Sequence, residues 1–162
     1  MMENQYTTDY HGWISQQREL LKNKQFGDLD VPNLLEAMTL QIGDISSTLE
    51  SHLTILLLHL LKYQYQTLVI NPLLTEPYNC RDWFGSMDRA RTDILTLIRK
   101  NPSLKRLTDE ALSDAYPQGK KMAIKEMNRY VKKHQRLDDS SFPAKCPWTY
   151  EQVIKEDWLP EA

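Results

Sequence analysis

The chain has 162 residues, of which 26% are charged, and its formal net charge is −2. A chain of this length fits one domain that buries roughly two thirds of its unfolded surface, so it needs no disulfide or metal for stability. The charge gives no general affinity for nucleic acid, Cys80 and Cys146 match no metal or redox spacing, and the N-terminus does not resemble a signal peptide. We therefore expect a cytoplasmic protein in a reducing setting, without a cofactor.

The first predicted helix covers residues 9–22 and follows a frayed tail at residues 1–6. Thr8 is placed to cap this helix, and Asp9 suits the positive end of its dipole. One face of the helix is apolar and consists of Tyr10, Trp13, Ile14, Leu20 and Leu21. Residues 23–29 follow as a turn.

A long central helix is predicted over residues 31–66, with Asp30 as its N-cap and Pro32 in its first turn. Apolar side chains recur every three or four residues, which is the period of a helix face and not of a strand. Residues 49–66 are apolar on nearly all sides, so this part should be buried. Its uncharged run, residues 51–61, is shorter than the roughly 18–20 residues that span a bilayer. The stripe consists of Leu34, Met38, Ile42, Ile45, Leu49, Leu53, Leu56, Leu60 and Tyr63.

The helical pattern stops after the central helix. Residues 67–79 contain Pro72 and Pro77 and are predicted to form a loop. Further helices are expected over residues 80–100 and 103–115.

Three C-terminal features complete the predicted helical pattern. Pro117 either breaks the preceding helix or kinks it, and apolar spacing resumes over residues 118–134. Residues 149–160 should contain a short last helix, because Thr149 and Gln152 have the spacing of a capping box. The fold class is therefore all-α, a single-domain helical bundle of five or six helices around one long central helix.

Five segments, in the same order along the chain, resemble the bacterial family catalogued as domain of unknown function 29. They are LDVPNLLEAM, HLLKYQYQ, NPSL, DEALSDAYPQGKKMA and FPAKCPWTYEQVIKEDWLP. The resemblance spans nearly the whole chain and implies an all-helical fold, but no activity. This chain departs from the family at Ala37, where a second glutamate usually follows Glu36, and at Asp82, where a serine usually precedes Trp83. If the paired acids form a site in the family, Ala37 puts that site in doubt here.

Glu36, His59 and Lys62 are the candidate catalytic residues of a hydrolytic enzyme. Histidine is the side chain most easily adjusted for proton transfer near neutral pH, and Lys62 could contact an anion. However, Glu36 and His59 are over ~30 Å apart on one straight helix, so they could meet only through a kink or a dimer. A buried, hydrogen-bonded His59 is the simpler interpretation.

A metal site formed by His52 and His59 is a weaker hypothesis. The two histidines are separated by about 10 Å of helical rise, which is too far for both to bind one metal ion. The Glu-x-x-His pattern of di-iron bundles is also missing from the sequence. We therefore expect no metal.

Lys62 and Arg91 also have structural interpretations. Lys62 is well placed at the C-terminal end of the central helix, where positive charge is favourable. Arg91 could form an ion pair with an acid of that helix, and Asp82 suits the N-terminal end of its own helix.

Charge is distributed unevenly along the chain. No Lys or Arg occurs between residues 26 and 61, whereas residues 118–136 contain seven Lys or Arg and one acid, Glu126. A basic helix over 118–136 could bind nucleic acid, although its lysines could equally form a solvated outer face. The same helix could instead meet the acidic region, within one chain or across a dimer. Its candidate contact residues are Lys120, Lys121, Lys132 and Lys133.

The leading functional hypothesis is a protein–protein interaction or accessory module. The long helix leaves more apolar surface than its neighbours can cover, so a homodimer or a complex with another protein is expected. The predicted interface uses residues 31–49, including Leu35, together with Trp13 of the first helix. Alternatively, Trp13 and Ile14 complete the core within one chain. No membrane contact is expected, and nucleic-acid binding is the third hypothesis.

Overall fold

The structure, a computed structural model, describes residues 4–71 and 80–161. Within these ranges there are six α-helices and no strand, which confirms the all-α fold with one long central helix. The apolar spacing of three and four residues therefore identified the fold class and the long central helix correctly, whereas the helix predicted over residues 103–115 begins as a 3-10 helix, Pro102–Leu107, and is α-helical only from Thr108. Their bounds are α1 Gln5–Thr8, α2 Tyr10–Lys22, α3 Val31–Tyr65, α4 Arg81–Lys100, α5 Thr108–Met127 and α6 Tyr150–Ile154.

The chain divides into two compact units, Met1–Ile45 and Ser46–Ala162, and the division falls inside α3. We call them the N-terminal unit and the C-terminal unit. The first half of α3 therefore belongs to one unit, and the buried second half belongs to the other.

The start of the N-terminal unit differs from the sequence prediction. The expected tail at residues 1–6 already contains the first residues of α1, and α2 is capped by the Asp9 carboxylate, not by Thr8. The Asp9 Oδ1 atom accepts a hydrogen bond from the Gly12 amide at 3.0 Å. Acidic side chains are among the strongest N-caps, so Asp9 takes this position.

Asp30 connects α2 with the beginning of α3 inside the N-terminal unit. Its carboxylate accepts hydrogen bonds from Trp13 Nε1 at 2.9 Å and from Asn33 Nδ2 at 2.7 Å. Its backbone amide donates to Gln17 Oε1 at 2.8 Å. The predicted N-cap is confirmed by the bond from the Asn33 amide to Asp30 Oδ1, at 3.4 Å.

The core of the C-terminal unit is built on the second half of α3. Its leucines have no exposed surface at five positions, and side chains of α4 and α5 are buried with them. Gly119 lets α5 approach closely, because a Cβ atom there would lie 3.2 Å from Leu57 Cβ and from the Thr54 carbonyl oxygen. The five leucines are Leu53, Leu56, Leu57, Leu60 and Leu61.

The loop predicted at residues 67–79 begins later than expected. A π-helical turn, Gln66–Ile70, continues α3, and the loop prediction for residues 72–79 lies outside the described residues.

Two predicted helices also differ at their ends. α5 runs through Pro117 without a break but stops at Met127, so the helix expected over 118–134 is only half formed. α6 begins with the predicted capping box of Thr149 and Gln152 but ends at Ile154.

The C-terminal segment is held by hydrogen bonds to its backbone carbonyls. Arg91 is buried and donates through Nε to the Val153 carbonyl at 2.9 Å and through Nη2 to the Trp158 carbonyl at 2.6 Å. The ion pair expected between Arg91 and the central helix is therefore replaced by contacts with this segment. The Tyr116 hydroxyl donates similarly to the Pro143 carbonyl at 2.8 Å.

Candidate functional site

Four apolar side chains form an exposed stripe on the first half of α3, which we call the α3 seam. They are separated by four, three and four residues, so they lie on one side of the helix. The exposed fractions are 50% for Val31, 61% for Leu35, 58% for Met38 and 67% for Ile42. Contiguous exposed apolar surface of this kind is typical of an interaction site.

Charged residues on this part of α3 are kept away from the seam. At about 100° per residue, Glu36 and Asp44 lie on the opposite side of the helix. The positions directly beside the seam include Thr39 and Gln41, which are polar and uncharged. The seam is therefore an apolar strip between neutral borders.

The sequence hypothesis placed Trp13 in the interface together with α3, but Trp13 does not extend this exposed surface. Only 2% of it is exposed, its indole nitrogen donates to Asp30, and its ring lies edge-on to Tyr6 with centroids 4.7 Å apart. The alternative in which Trp13 is buried within one chain is the observed one. Leu35, the other interaction residue predicted on the N-terminal side, is exposed.

A buried charge pair lies in the C-terminal unit, at the end of α3. Lys62 Nζ is 2.7 Å from Glu126 Oε2 and 4.6 Å from the centre of the Trp83 ring. The Lys62 side chain is 7% exposed, whereas the Glu126 side chain is 34% exposed. The ammonium therefore loses its water and is compensated by one carboxylate and one aromatic face.

His59 lies one turn before Lys62 and is held in its neutral form. Burial is the main cause that lowers its pKa to about 4, the Lys62 and Arg89 charges lower it further, and Glu126 opposes them. Its Nδ1 atom is buried and has no hydrogen-bond partner among the described residues. The hydrogen-bonded His59 expected from the sequence is thus not observed at Nδ1. A histidine with this pKa is a weak general base at neutral pH.

The three candidate catalytic residues do not form one cluster within a single unit. His59 and Lys62 belong to the C-terminal unit, where Glu126 is the acid that contacts Lys62. Glu36 belongs to the N-terminal unit. There the pKa of Tyr6 is raised, first by burial of Tyr6 and then by the negative charge of Glu36.

The two metal candidates have different surroundings. His52 Nδ1 is 4.0 Å from Asp93 Oδ2, on the α4 side of the helix. Among residues 4–71 and 80–161, no group of three His, Cys, Asp or Glu side chains is arranged to hold a metal ion. His52 and His59 therefore have no third ligand in this part of the chain.

A cleft of about 690 Å³ lies between α5 and the C-terminal segment. Burial raises the pKa of its Cys146 thiol and raises the pKa values of Tyr116 and Tyr150 to about 12, so these three side chains are neutral. A thiol with a raised pKa is a poor nucleophile. The cleft also contains Trp148.

The basic candidate residues do not lie on one helix. Lys120 and Lys121 are on α5, whereas Lys132 and Lys133 follow its end and are exposed. Lys120 Nζ is also 3.4 Å from the Pro143 carbonyl oxygen. The four lysines therefore do not form the continuous helical face that the sequence predicted.

Sequence reasoning missed Glu126 as the partner of Lys62. The only available signal was that Glu126 is the single acid in a basic stretch. The two residues are 64 positions apart, so no local pattern connects them.

Comparison with known proteins gives a family but no individual relative. The family model described as "Domain of unknown function DUF29" matches residues 5–159. No curated protein and no solved structure matches the chain significantly.

Proposed function

Since the chain belongs to the family described as domain of unknown function DUF29, which carries no assigned activity, we propose a function from its geometry: a cytoplasmic protein-interaction module that binds through the α3 seam. The exposure of the seam is the observation that carries this proposal. Four large apolar side chains on one side of one helix are each at least 50% exposed, namely Val31, Leu35, Met38 and Ile42.

Burial of these side chains supplies the driving force for association. Removing apolar surface from water is favourable in proportion to its area. The neutral borders of the seam add no charge that would have to be desolvated. An amphipathic helix that presents apolar residues at spacings of three and four is a common protein-recognition element.

The other candidate functions have less support in the structure. The enzyme hypothesis relies on His59, whose pKa of about 4 limits proton transfer at neutral pH. The nucleic-acid hypothesis relies on lysines that the structure divides between α5 and the segment after it. By length and composition, the helix Val31–Ile70 could cross a membrane, but one such helix does not establish a membrane span, because core helices of soluble proteins also meet these criteria and half of its most apolar window is buried in protein.

A photoreactive amino acid at position 35 tests the proposal directly. We replace Leu35 with a photoreactive phenylalanine analogue in cells that naturally make the protein and irradiate them. We expect covalent adducts with protein, either a second copy or another chain. The matched control has the same analogue at Leu95 on α4, which is 54% exposed but lies outside the seam.

Adducts at position 35 that clearly exceed those at position 95 support a binding surface at the seam. Equal labelling at the two positions would contradict the proposal, because both side chains are similarly exposed.

A further inference from the structure

The cleft between α5 and the C-terminal segment lies within the C-terminal unit and takes no part in the proposed function. Its volume of about 690 Å³ is within the range of small-molecule pockets, which is about 300–1,000 Å³. Aromatic side chains line both of its walls, with Tyr116 on α5 and Trp148 and Tyr150 on the C-terminal segment. The cleft therefore has the size and the aromatic lining of a ligand site.

Hydrogen bonds and a ring contact hold the walls of the cleft in place. The Tyr116 hydroxyl donates to the Pro143 carbonyl at 2.8 Å, and the Cys146 thiol donates to the Trp148 carbonyl at 3.5 Å. The Trp148 ring packs against the Trp158 ring, with centroids 5.7 Å apart and planes at 73°. Because a preformed site loses less conformational entropy on binding, this fixed geometry favours a ligand.

The charges of the cleft come from two carboxylates on opposite walls and one ammonium. Asp109 lies on α5, Glu151 lies on α6, and Lys145 lies in the segment before α6. All three side chains are exposed, and within residues 4–71 and 80–161 none of them forms an ion pair. Lys145 therefore leaves both carboxylates available, and negative charge predominates in the cleft.

The same unit already holds a cation with this combination of groups. Lys62 Nζ lies 4.6 Å from the centre of the Trp83 ring and 2.7 Å from Glu126 Oε2. The negative face of an aromatic ring attracts a cation, and a nearby carboxylate adds a charge–charge attraction. That cation belongs to the chain itself, whereas the rings and carboxylates of the cleft are accessible to one from solution.

We propose that the cleft binds an organic cation, a quaternary ammonium group on a small apolar body. The cation contacts the rings of Trp148 and Tyr150, and the carboxylates of Asp109 and Glu151 balance its charge. Such groups occur on free small molecules such as choline and on methylated lysine side chains, and both are recognised by the same chemistry. This site is independent of the α3 seam, so the two proposals can fail separately.

Two probes of the same shape test whether charge is recognised. Choline and its uncharged isostere dimethylbutanol, in which a carbon atom replaces the ammonium nitrogen, are titrated into the full chain and followed by NMR of the indole N–H groups. Choline should shift the Trp148 signal and bind at least ~3-fold more tightly than the isostere. The buried Trp83 is the internal control and should not shift. Equal affinity of the two probes, or no shift of Trp148 with choline up to about 10 mM, would overturn the inference.

Charge variants with effects of opposite sign locate the site. Asp109→Asn removes a carboxylate of the cleft and should weaken choline binding by about 2–5-fold, whereas Lys145→Gln removes the opposing ammonium and should strengthen it by a similar factor. Asp114→Asn is the matched control, because Asp114 is also exposed on α5 but does not line the cleft. It should bind choline as the wild type does. All three positions are exposed, so the variants should fold normally.

Weaker choline binding by Lys145→Gln, or equal effects of Asp109→Asn and Asp114→Asn, would also overturn the inference. A short peptide that contains trimethyllysine, with the unmodified peptide as its control, distinguishes the two sources of the cation. Tighter binding of the trimethyllysine peptide than of choline assigns the cation to a protein side chain, and the reverse order assigns it to a free small molecule. Either order supports a cation site in the cleft.

Discussion

The two units use the same helix in opposite ways. The described part of the N-terminal unit contains one buried apolar side chain, Trp13, and eight large exposed ones. The described part of the C-terminal unit contains 23 buried apolar side chains and six large exposed ones. Continuous helix formation therefore does not ensure burial. Burial depends on which neighbours are available to each half of α3.

This difference has an energetic consequence. A unit of about 45 residues is near the lower limit at which a core supports a fold, and one buried tryptophan is a small core. Association through the seam would add burial where the N-terminal unit has least. The C-terminal unit has no such need, because its half of α3 is already covered.

The largest difference between the units should be seen in leucine-to-alanine substitutions on α3. Leu56→Ala removes a side chain with no exposed surface and should lower the free energy of unfolding by about 2–5 kcal/mol. Leu35→Ala, at a side chain that is 61% exposed, should cost less than about 0.5 kcal/mol in dilute, monomeric protein. Urea denaturation measures both. Similar losses for the two variants would show that the helix is buried equally in both units.

Ion pairs give the second comparison. Glu126→Gln leaves the Lys62 ammonium buried without its carboxylate and should cost about 1–3 kcal/mol, since the exposed third of Glu126 moderates the effect. Lys62→Met should cost less, because Glu126 can be solvated. Combining Lys62→Met with Glu126→Gln should therefore recover part of the stability lost in Glu126→Gln.

The matching pair in the N-terminal unit is Lys22 and Glu19 on α2, whose atoms are 3.8 Å apart and whose side chains are largely exposed. Glu19→Gln should change the free energy of unfolding by less than about 0.5 kcal/mol, as is usual for surface pairs. If Glu126→Gln costs no more than Glu19→Gln in the same denaturation experiment, burial does not distinguish the two pairs.

The sequence predicted features that depend on residues close together in the chain. The start of α3 at Asp30 and its run of apolar positions require only one cap and a local spacing, and both are confirmed. The capping box of Thr149 and Gln152 is confirmed for the same reason. Trp13 was harder, because its exposure depends on the distant Asp30 carboxylate and not on the spacing of α2.

The spacing of the apolar residues did not predict where α5 ends. Tyr130 and Val131 continue the apolar pattern of the helix, but the chain leaves it at Met127. Asn128 then exchanges hydrogen bonds with the Leu137 backbone, accepting at 2.8 Å and donating at 2.9 Å. These hydrogen bonds join residues nine positions apart, which is outside the four-residue pattern of a helix. Tertiary structure and not the apolar period therefore determines where the helix ends.

Acid stability gives the third comparison, through His59. Its pKa is about 4 in the folded chain and 6.5 in its reference state, so the unfolded chain binds a proton first as pH falls. Stability should therefore be complete above pH 6.5 and decline toward pH 4 by about 1–2 kcal/mol, after allowing for solvent at the partly exposed ring. Lys62 and Arg89 increase this effect, and Glu126 reduces it.

His59→Asn should remove that contribution, because asparagine does not titrate in this range. Its urea midpoint should consequently fall less than that of the wild type between pH 6.5 and pH 4. His11→Asn is the control from the N-terminal unit and should keep the wild-type slope, since His59 is unchanged. Parallel pH profiles for wild type and His59→Asn would mean that the imidazole is hydrated in the folded protein. His59 would then not belong to the buried part of the C-terminal unit. The difference in side-chain burial between the two halves of α3 would be limited to the buried leucines.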